Sequence, residues 1–315
     1  MPTNFPNGIA SYGVPVLPGD NPITTGSVFF VCNRTGANGS DGNSGKTPSE
    51  PFATVDYAIG QCTPSAGDVI YVLPGHAETV TATSIALDVA GVRIIGLGSG
   101  RSRPTFTYGA AAATITVSAA GCRWSNCHFI ANFLNVAAAF TIGAAKDFQL
   151  DSSSFIDTSS TLNFLSIVVT GATANAADGL SVIGNYVLGL AATDGAFISI
   201  LGNTDRFLAA DNFVDKAATN DAGHFLTQAA LVMKGARVYR NTLNVVGSTG
   251  AAVGVFATGS STTNTGVFAY NLTTSLDTTS ALFITAALNY AVHENYMSGV
   301  VAASGTLFPA ADNPA

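Results

Sequence analysis

The chain has 315 residues, of which 47% are hydrophobic and only 10% charged, and its formal net charge is −7. Nucleic-acid binding needs clustered Lys and Arg side chains, and the 12 such residues here are scattered along the chain, which argues against a nucleic-acid partner. A helix that spans a membrane needs about 20 consecutive apolar residues. The apolar stretches are broken throughout by Gly, Ser, Thr and Asn, so the sequence also argues against a membrane protein.

Residues 1–26 form the first predicted region, an extended arm. Five prolines fall within its first 22 residues, and proline removes the amide donors that a helix or sheet requires. Either the arm is a disordered tail, or it becomes ordered along the surface of a partner. No basic start with an apolar segment occurs, so no signal peptide is predicted. The arm residues that we expect to contact a partner are Phe5, Ile9, Tyr12 and Val16.

Residues 27–83 are predicted to form an N-terminal cap and a first coil. A strand is expected near residues 27–33, followed by a Gly-rich loop and a short helix over about 55–61. Thr54 suits the N-cap of that helix, and Asp56 lies in its first turn. The first coil of a β-solenoid exposes a free sheet edge. We expect the helix to cover that edge.

Residues 84–300 repeat one pattern, in which a turn residue follows an apolar residue by three positions and precedes another by two. The spacing between turns is about 28 residues, with alternating apolar strands and no helical stretch between them, which is typical of a β-solenoid. Residues 301–315 contain prolines that end strand propagation and form a C-terminal tail. The seven turn positions are Cys127, Ser153, Asn185, Asn212, Asn241, Asn271 and Asn295.

Asparagine occupies five of these seven turns. Its short amide tolerates left-handed backbone, so we expect the Asn residues themselves to make the bend. Stacked from coil to coil, the amides can also bond to each other and form a ladder. The predicted turn ladder consists of Asn185, Asn212, Asn241, Asn271 and Asn295.

No convergent catalytic group is predicted. Glycoside hydrolysis requires two carboxyl groups about 5–10 Å apart, and Asp157 is expected in a loop, away from other acids. Asp211 and Arg240 are expected to pair across adjacent coils at the surface. His76 and Glu78 are interpreted as surface polarity. The sequence therefore predicts no catalytic, cofactor-binding or metal-ligating residue and no cofactor.

Two questions stay open at this level. The oxygen-rich loop 38–45 could hold Ca²⁺, although it lacks the carboxylates of an EF-hand. The four cysteines are interpreted as small buried hydrophobic residues, and pairing of Cys32 with Cys62 is left open.

The segment FFVCNRTGANGSDGNSGKTPSEPFATVDYAIGQC, followed by GDVIYVLPGHAET, resembles the opening of right-handed parallel β-helix proteins of the pectin-lyase-like superfamily. The resemblance covers residues 27–80 in motif and 84–300 in repeat style. It implies an all-β, right-handed, single-stranded parallel β-helix. The arm and the missing signal peptide resemble virion proteins of tailed bacteriophages, which are made in the host cytoplasm.

These resemblances lead to two alternative expectations for function. In the first, the chain is a structural virion protein, not an enzyme, that decorates or cements the capsid exterior as a homotrimer, with its arm on the major capsid protein. In the second, it is a tailspike-like protein that binds or depolymerises a host polysaccharide, by lyase or glycosidase chemistry. Tyrosines near the turns could stack on sugars, but they would equally suit lateral packing. A self-standing surface adhesin is disfavoured by the missing signal peptide.

Overall fold

The computed structural model describes residues 10–11, 14–15, 24–217, 222–228, 232–245, 253–257, 261–275, 281–284, 289–299 and 306–308. Three long sheets run side by side along the chain, and successive coils add one parallel strand to each sheet. The described chain is therefore an all-β parallel solenoid, as the sequence predicts. The expected arm contacts Phe5, Ile9, Tyr12 and Val16 lie outside the described residues.

The first sheet has ten parallel strands, and the second has nine parallel strands followed by one antiparallel strand. The strands of the first sheet are Val28–Val31, Val69–Val72, Arg93–Gly96, Arg123–Ser125, Gln149–Asp151, Ser181–Ile183, Leu208–Ala210, Ala236–Tyr239, Gly266–Ala269 and Tyr290–His293. Those of the second sheet are Ala77–Val80, Thr105–Tyr108, His128–Ala131, Ser154–Asp157, Tyr186–Gly189, Phe213–Lys216, Thr242–Val245, Leu272–Ser275, Asn295–Gly299 and the antiparallel Thr306–Phe308.

The third sheet has eight parallel strands. They are Ala86–Leu87, Ile115–Val117, Phe140–Ile142, Val168–Thr170, Ile198–Ile200, Ala222–Gln228, Val253–Ala257 and Ala281–Ile284. Two smaller pairs complete the described strands: Ala10–Ser11 with Val14–Pro15, and Thr204–Asp205 with Met233–Lys234. A 3₁₀ turn spans Gly100–Ser102. No helix in the described part of the chain has the length and apolar character needed to cross a membrane.

A short α-helix, Val55–Gly60, covers the start of the solenoid. Thr54 is its N-cap, and the Thr54 hydroxyl accepts a hydrogen bond from the Tyr57 amide. Val55, Ala58 and Ile59 are buried, and the helix packs against strands Val28–Val31, Val69–Val72 and Ala86–Leu87. The predicted helix and its cap are confirmed.

The core is built from the alternating inward side chains of the three sheets. Trp124, Leu150 and Val182 pair in register across three coils of the first sheet, and all three are fully buried. In the second sheet, Phe129 stacks on Phe155, with ring centroids 4.8 Å apart. Because parallel strands place equivalent residues about 4.8 Å apart, one register stacks apolar side chains on apolar side chains along the described core.

The bend between the first and second sheets differs in one respect from the prediction. The residue with left-handed backbone is the one before each turn position, whereas the sequence interpretation assigned that conformation to the Asn itself. The φ angles of these preceding residues lie between 53° and 63°. Bulky side chains rarely adopt this conformation, so the neighbouring contacts must hold the chain there. The residues are Asn126, Ser152, Gly184, Asp211, Arg240, Tyr270 and Glu294.

The turn asparagines form a buried hydrogen-bonded ladder. The Asn212 Oδ1 accepts from the Asn185 backbone amide at 3.0 Å and from the Asn185 Nδ2 at 3.1 Å. The Asn212 Nδ2 donates to the carbonyl of Val182, and to the Asn241 Oδ1, both at 2.9 Å. The same set of bonds repeats through Asn271 to Asn295. Both ends of each inner amide are therefore used for contact between coils.

Before Asn185 the ladder continues through shorter side chains. The Ser153 amide donates to the Asn185 Oδ1 at 3.1 Å, and the Ser153 Oγ accepts from the Cys127 amide at 3.2 Å. A serine hydroxyl can accept this bond, but it cannot supply the second donor that the amide has.

Replacing Asn241 by Ala is expected to lower the free energy of unfolding by about 3 kcal/mol, because several buried polar groups lose their partners at once. Denaturant unfolding measures this loss. Asn244→Ala is the matched control, since Asn244 points outward from the next strand of the same coil, and we expect it to change stability by less than about 0.5 kcal/mol. Equal effects of the two substitutions would contradict a stabilising ladder.

Candidate functional site

Three ionisable side chains converge inside the corner between the second and third sheets. Asp157 and Lys216 end two strands of the second sheet, and Asp194 lies in the loop of the coil between them. All three are nearly inaccessible, at 4%, 4% and 1% relative exposure. The expectation that Asp157 lies in a loop away from other acids is therefore wrong, and we call this group the corner cluster.

The fold makes room for the corner cluster through a glycine. Gly189 pairs in register with Lys216, and it ends the intervening strand of the same sheet. A Cβ atom there would lie 2.3 Å from Asp194 Oδ2 and 3.1 Å from Lys216 Cγ. Both side chains therefore border the small space that the missing side chain leaves.

Each carboxylate of the corner cluster is held by neighbouring donors. Asp157 accepts from the amides of Phe164 and Leu190, both at 2.9 Å. Asp194 Oδ1 accepts from the Nδ2 of the fully buried Asn163 at 2.9 Å. The Lys216 Nζ donates to the Gly195 carbonyl, next in sequence to Asp194.

Burial changes the protonation of the corner cluster. Burial and, to a smaller extent, the charge of Asp194 together raise the pKa of Asp157 to about 7. Burial also raises the pKa of Asp194, against the hydrogen bond from Asn163 and the charge of Lys216. Burial lowers the pKa of Lys216 to about 8, against the attraction of both carboxylates. Around neutral pH, a large fraction of Asp157 is thus protonated and can donate to Asp194, and the Lys216 ammonium is more acidic than that of an exposed lysine.

A second group of polar side chains lies at the first residues of two neighbouring strands of the second sheet. Arg103 Nη2 donates to the Ser154 Oγ at 2.9 Å, and the His128 Nδ1 also bonds to this oxygen. His128 Nε2 lies 3.0 Å from the Gly100 carbonyl. Burial lowers the pKa of His128, and the nearby Arg103 charge adds to this, so the imidazole is neutral at pH 7. Ser154 is only 2% exposed, so its hydroxyl serves the packing of these coils rather than a substrate in solution.

The outer surface of the first sheet has two shallow cavities. One has a volume of about 390 Å³ and includes an ion pair in which Arg123 Nε is 2.7 Å from Asp151 Oδ1. Asp151 is only 5% exposed, and Ser152 and Gln149 also donate to it. This carboxylate is thus fully engaged by its neighbours.

The second cavity, of about 290 Å³, lies further along the same sheet. Tyr239, Tyr270 and Arg237 are among its lining residues. Arg240 stacks over the Tyr239 ring at 4.4 Å and forms a bidentate pair with Asp211, with both contacts at 2.7 Å. The predicted pairing of Asp211 with Arg240 across adjacent coils is confirmed.

Two further groups noted in the sequence have structural contacts. His76 is 1% exposed, and its Nε2 lies 3.0 Å from Glu78 Oε2, so the interpretation of these residues as surface polarity is wrong for His76. In the loop 38–45, Asp41 accepts from the amides of Ala53 and Thr54 at 2.8 and 3.0 Å. Across the described residues, no group of three or more His, Cys, Asp and Glu side chains is arranged to hold a metal ion. All four cysteines are buried free thiols.

The outer surface of the second sheet carries a row of exposed apolar side chains. Tyr186 pairs with Phe213, their rings stack with centroids 5.8 Å apart, and the register continues through Thr242 to Leu272 and Tyr296. The exposed fractions of Tyr186, Phe213, Leu272 and Tyr296 are 39%, 41%, 48% and 50%. We call this row the second-sheet face.

No protein-family model and no curated protein matches the sequence. Among solved structures, the chain is similar to one titled "Rhamnogalacturonan lyase", with 13% identity, a TM-score of 0.44, and coverage of 86% of this chain and 87% of that one. It is also similar to "Geobacillus virus E2 - ORF18", with 11% identity and a TM-score of 0.31. That match covers 85% of this chain but only 61% of the viral chain. Likeness at this level concerns the fold alone.

The buried Asp157 carboxyl gives the protein a specific pH dependence. Its pKa is raised from 3.8 to about 7 on folding. The stabilising contribution of its protonated form is thus complete below about pH 4 and is lost as the pH rises through about 7. We expect the unfolding free energy of the wild type, relative to Asp157→Asn, to fall over this range by up to about 1.4 kcal/mol per pH unit.

Denaturant unfolding at several pH values measures this slope, with the exposed Asp211→Asn as control. A difference that does not vary with pH would contradict the raised pKa. If Asp157→Asn does not fold, a ¹³C titration of the wild-type aspartates provides the same test, because one carboxyl should titrate near neutrality.

Proposed function

We propose that this chain is a structural protein of a tailed-bacteriophage virion, in which three copies associate in parallel on the capsid exterior. The observation that carries the proposal is the second-sheet face. Surface patches of contiguous apolar side chains mark contacts with partners in soluble proteins, and aromatic residues are enriched in such interfaces.

The composition of this face favours a second copy of the chain as partner. Beside its four exposed residues lie Ile130, Ile156 and Leu188, each partly exposed on the same surface. A sugar site needs several convergent polar groups around an aromatic platform, and aliphatic side chains do not supply them. Parallel copies would bring the apolar rows together at matching levels, and cyclic symmetry would close the assembly.

The positions of several charged side chains support a role for the solenoid as a rigid shaft. Asp157, Asp194 and Lys216 are buried between coils, and the Arg123–Asp151 pair joins two neighbouring strands. These groups hold coils together. In the proposed assembly the shaft stands on the capsid, and the N-terminal arm contacts the major capsid protein through Phe5, Ile9, Tyr12 and Val16.

A second candidate function is binding or cleavage of a host polysaccharide, as in a tailspike. The cavity bordered by Tyr239, Tyr270 and Arg237 favours it, because tyrosine rings and a guanidinium can together hold a sugar that carries a carboxylate. Reducing-sugar release from host capsule or lipopolysaccharide by the purified protein would support this candidate over the structural one. In purified particles, hundreds of copies would support capsid decoration, and a few copies would support a tailspike.

Introducing charge into the second-sheet face should separate the copies. We expect Phe213→Glu combined with Leu272→Glu to convert the trimer to a monomer of 31.9 kDa, because burying unpaired carboxylates in an apolar interface is costly. Light scattering coupled to size exclusion gives the mass. Leu201→Glu is the control, since Leu201 is also exposed, at 42%, but lies just after a strand of the third sheet. A wild-type protein that is already monomeric would overturn the proposed interface.

A further inference from the structure

The corner cluster holds an amine and two carboxyls in a space from which water is excluded. Lys216 Nζ donates to the carbonyl of Gly195, and Asp194 immediately precedes this glycine. The side chains of Lys216 and Asp194 also border the same space over Gly189. The lysine amine is carried on a rotatable four-carbon stem, next to the space that Asp194 borders.

We propose that Lys216 and Asp194 condense after folding into an amide bond between their side chains, with Asp157 transferring the proton. The bond would link the strand Phe213–Lys216 to the preceding coil. This inference is independent of the proposed virion function.

The surroundings of the amine increase the fraction that is in the reactive, neutral form. Only a neutral amine is a nucleophile, and a lysine becomes one when burial lowers its pKa, as it does here to about 8. An ammonium would need three acceptors at this buried position, and the Gly195 carbonyl is one such acceptor. Because both groups belong to one folded chain, the reaction is intramolecular, and alignment of the two groups can then be worth several orders of magnitude in rate.

The two carboxyls have different roles. Asp157 is fixed by two backbone amides at 2.9 Å, and it donates a hydrogen bond to Asp194 in its protonated form. Asp194 is therefore the carboxyl that is activated by a proton, and its Cγ is the electrophile. Asn163 Nδ2, at 2.9 Å from Asp194 Oδ1, can stabilise the negative charge that develops on this oxygen during attack.

The atoms of the reaction balance without a further reactant. The Lys216 ammonium and the Asp194 carboxylate form one amide and one water molecule. The Nζ–Cγ bond forms, and one Cγ–Oδ bond breaks. Nζ loses two protons in all: one passes to the Asp194 carboxylate and leaves the amine neutral, and the other passes to Asp157 after the attack. Asp157 gives its own proton to the same leaving oxygen, which departs as water, so Asp157 ends unchanged. The reaction also removes a buried pair of opposite charges, whose desolvation is costly.

Mass spectrometry of the purified full chain tests the proposal. We expect an intact mass lower than the sequence mass by one water molecule. Trypsin should fail to cut after Lys216, and a branched peptide should join residues 147–206 to residues 207–234. The wild type with full mass and normal cleavage after Lys216 would overturn the proposal.

Loss of one water molecule has a second possible source, because an Asp–Gly pair such as Asp194–Gly195 can cyclise to a succinimide. Variants distinguish the succinimide from the Lys216–Asp194 amide. Lys216→Arg should keep the full mass, whereas the exposed Lys234→Arg should lose one water like the wild type. A loss of water that persists in Lys216→Arg would identify the succinimide and overturn the amide.

Asp157→Asn should lower the fraction of chains that carry the amide at least tenfold, and an unchanged fraction would contradict the role of Asp157 in proton transfer. If Lys216→Arg does not fold, fragmentation of the wild-type branched peptide decides between the two.

Discussion

The hydrogen-bonded stacking of the turn amides is the constraint on which the rest of the structure depends. Each inner Asn bonds to the backbone and the side-chain amide of the preceding coil and to the side-chain amide of the following coil, so neither coil can shift without breaking several bonds. This fixes the bend between the first and second sheets, and it explains why residues as different as Arg240 and Tyr270 adopt left-handed backbone there. The ladder determines the bend, and the residue before each turn position adopts the backbone conformation that the bend requires.

One register then determines both the inside and the outside of the solenoid. It aligns Phe129 with Phe155 in the core, and it equally aligns Tyr186 with Phe213 at the surface. Columns of like residues follow from stacking, whether or not they are buried. The second-sheet face is such a column and is open to water, whereas Asp157 and Lys216 of the corner cluster share a column that is closed to water.

The sequence was sufficient for the fold because its signals are repetitive. Turn spacing, strand alternation and the Thr54 cap all predict local structure that the solenoid requires. The sequence analysis does not identify the corner cluster, although two of its three residues can be recognised from the repeat. Asp157, Gly189 and Lys216 each follow a turn position by four residues, so aligning the repeats at that offset would have placed them in one column. Asp194 could not be found in this way, because it lies in a loop whose length varies between coils.

In the proposed assembly, charged side chains join the coils and the second-sheet face joins the copies. Electron microscopy of the purified full chain tests this most directly. We expect a particle of three parallel solenoids with the second sheets facing the common axis. A single solenoid with its second sheet in solvent, or a trimer joined through another face, would contradict it.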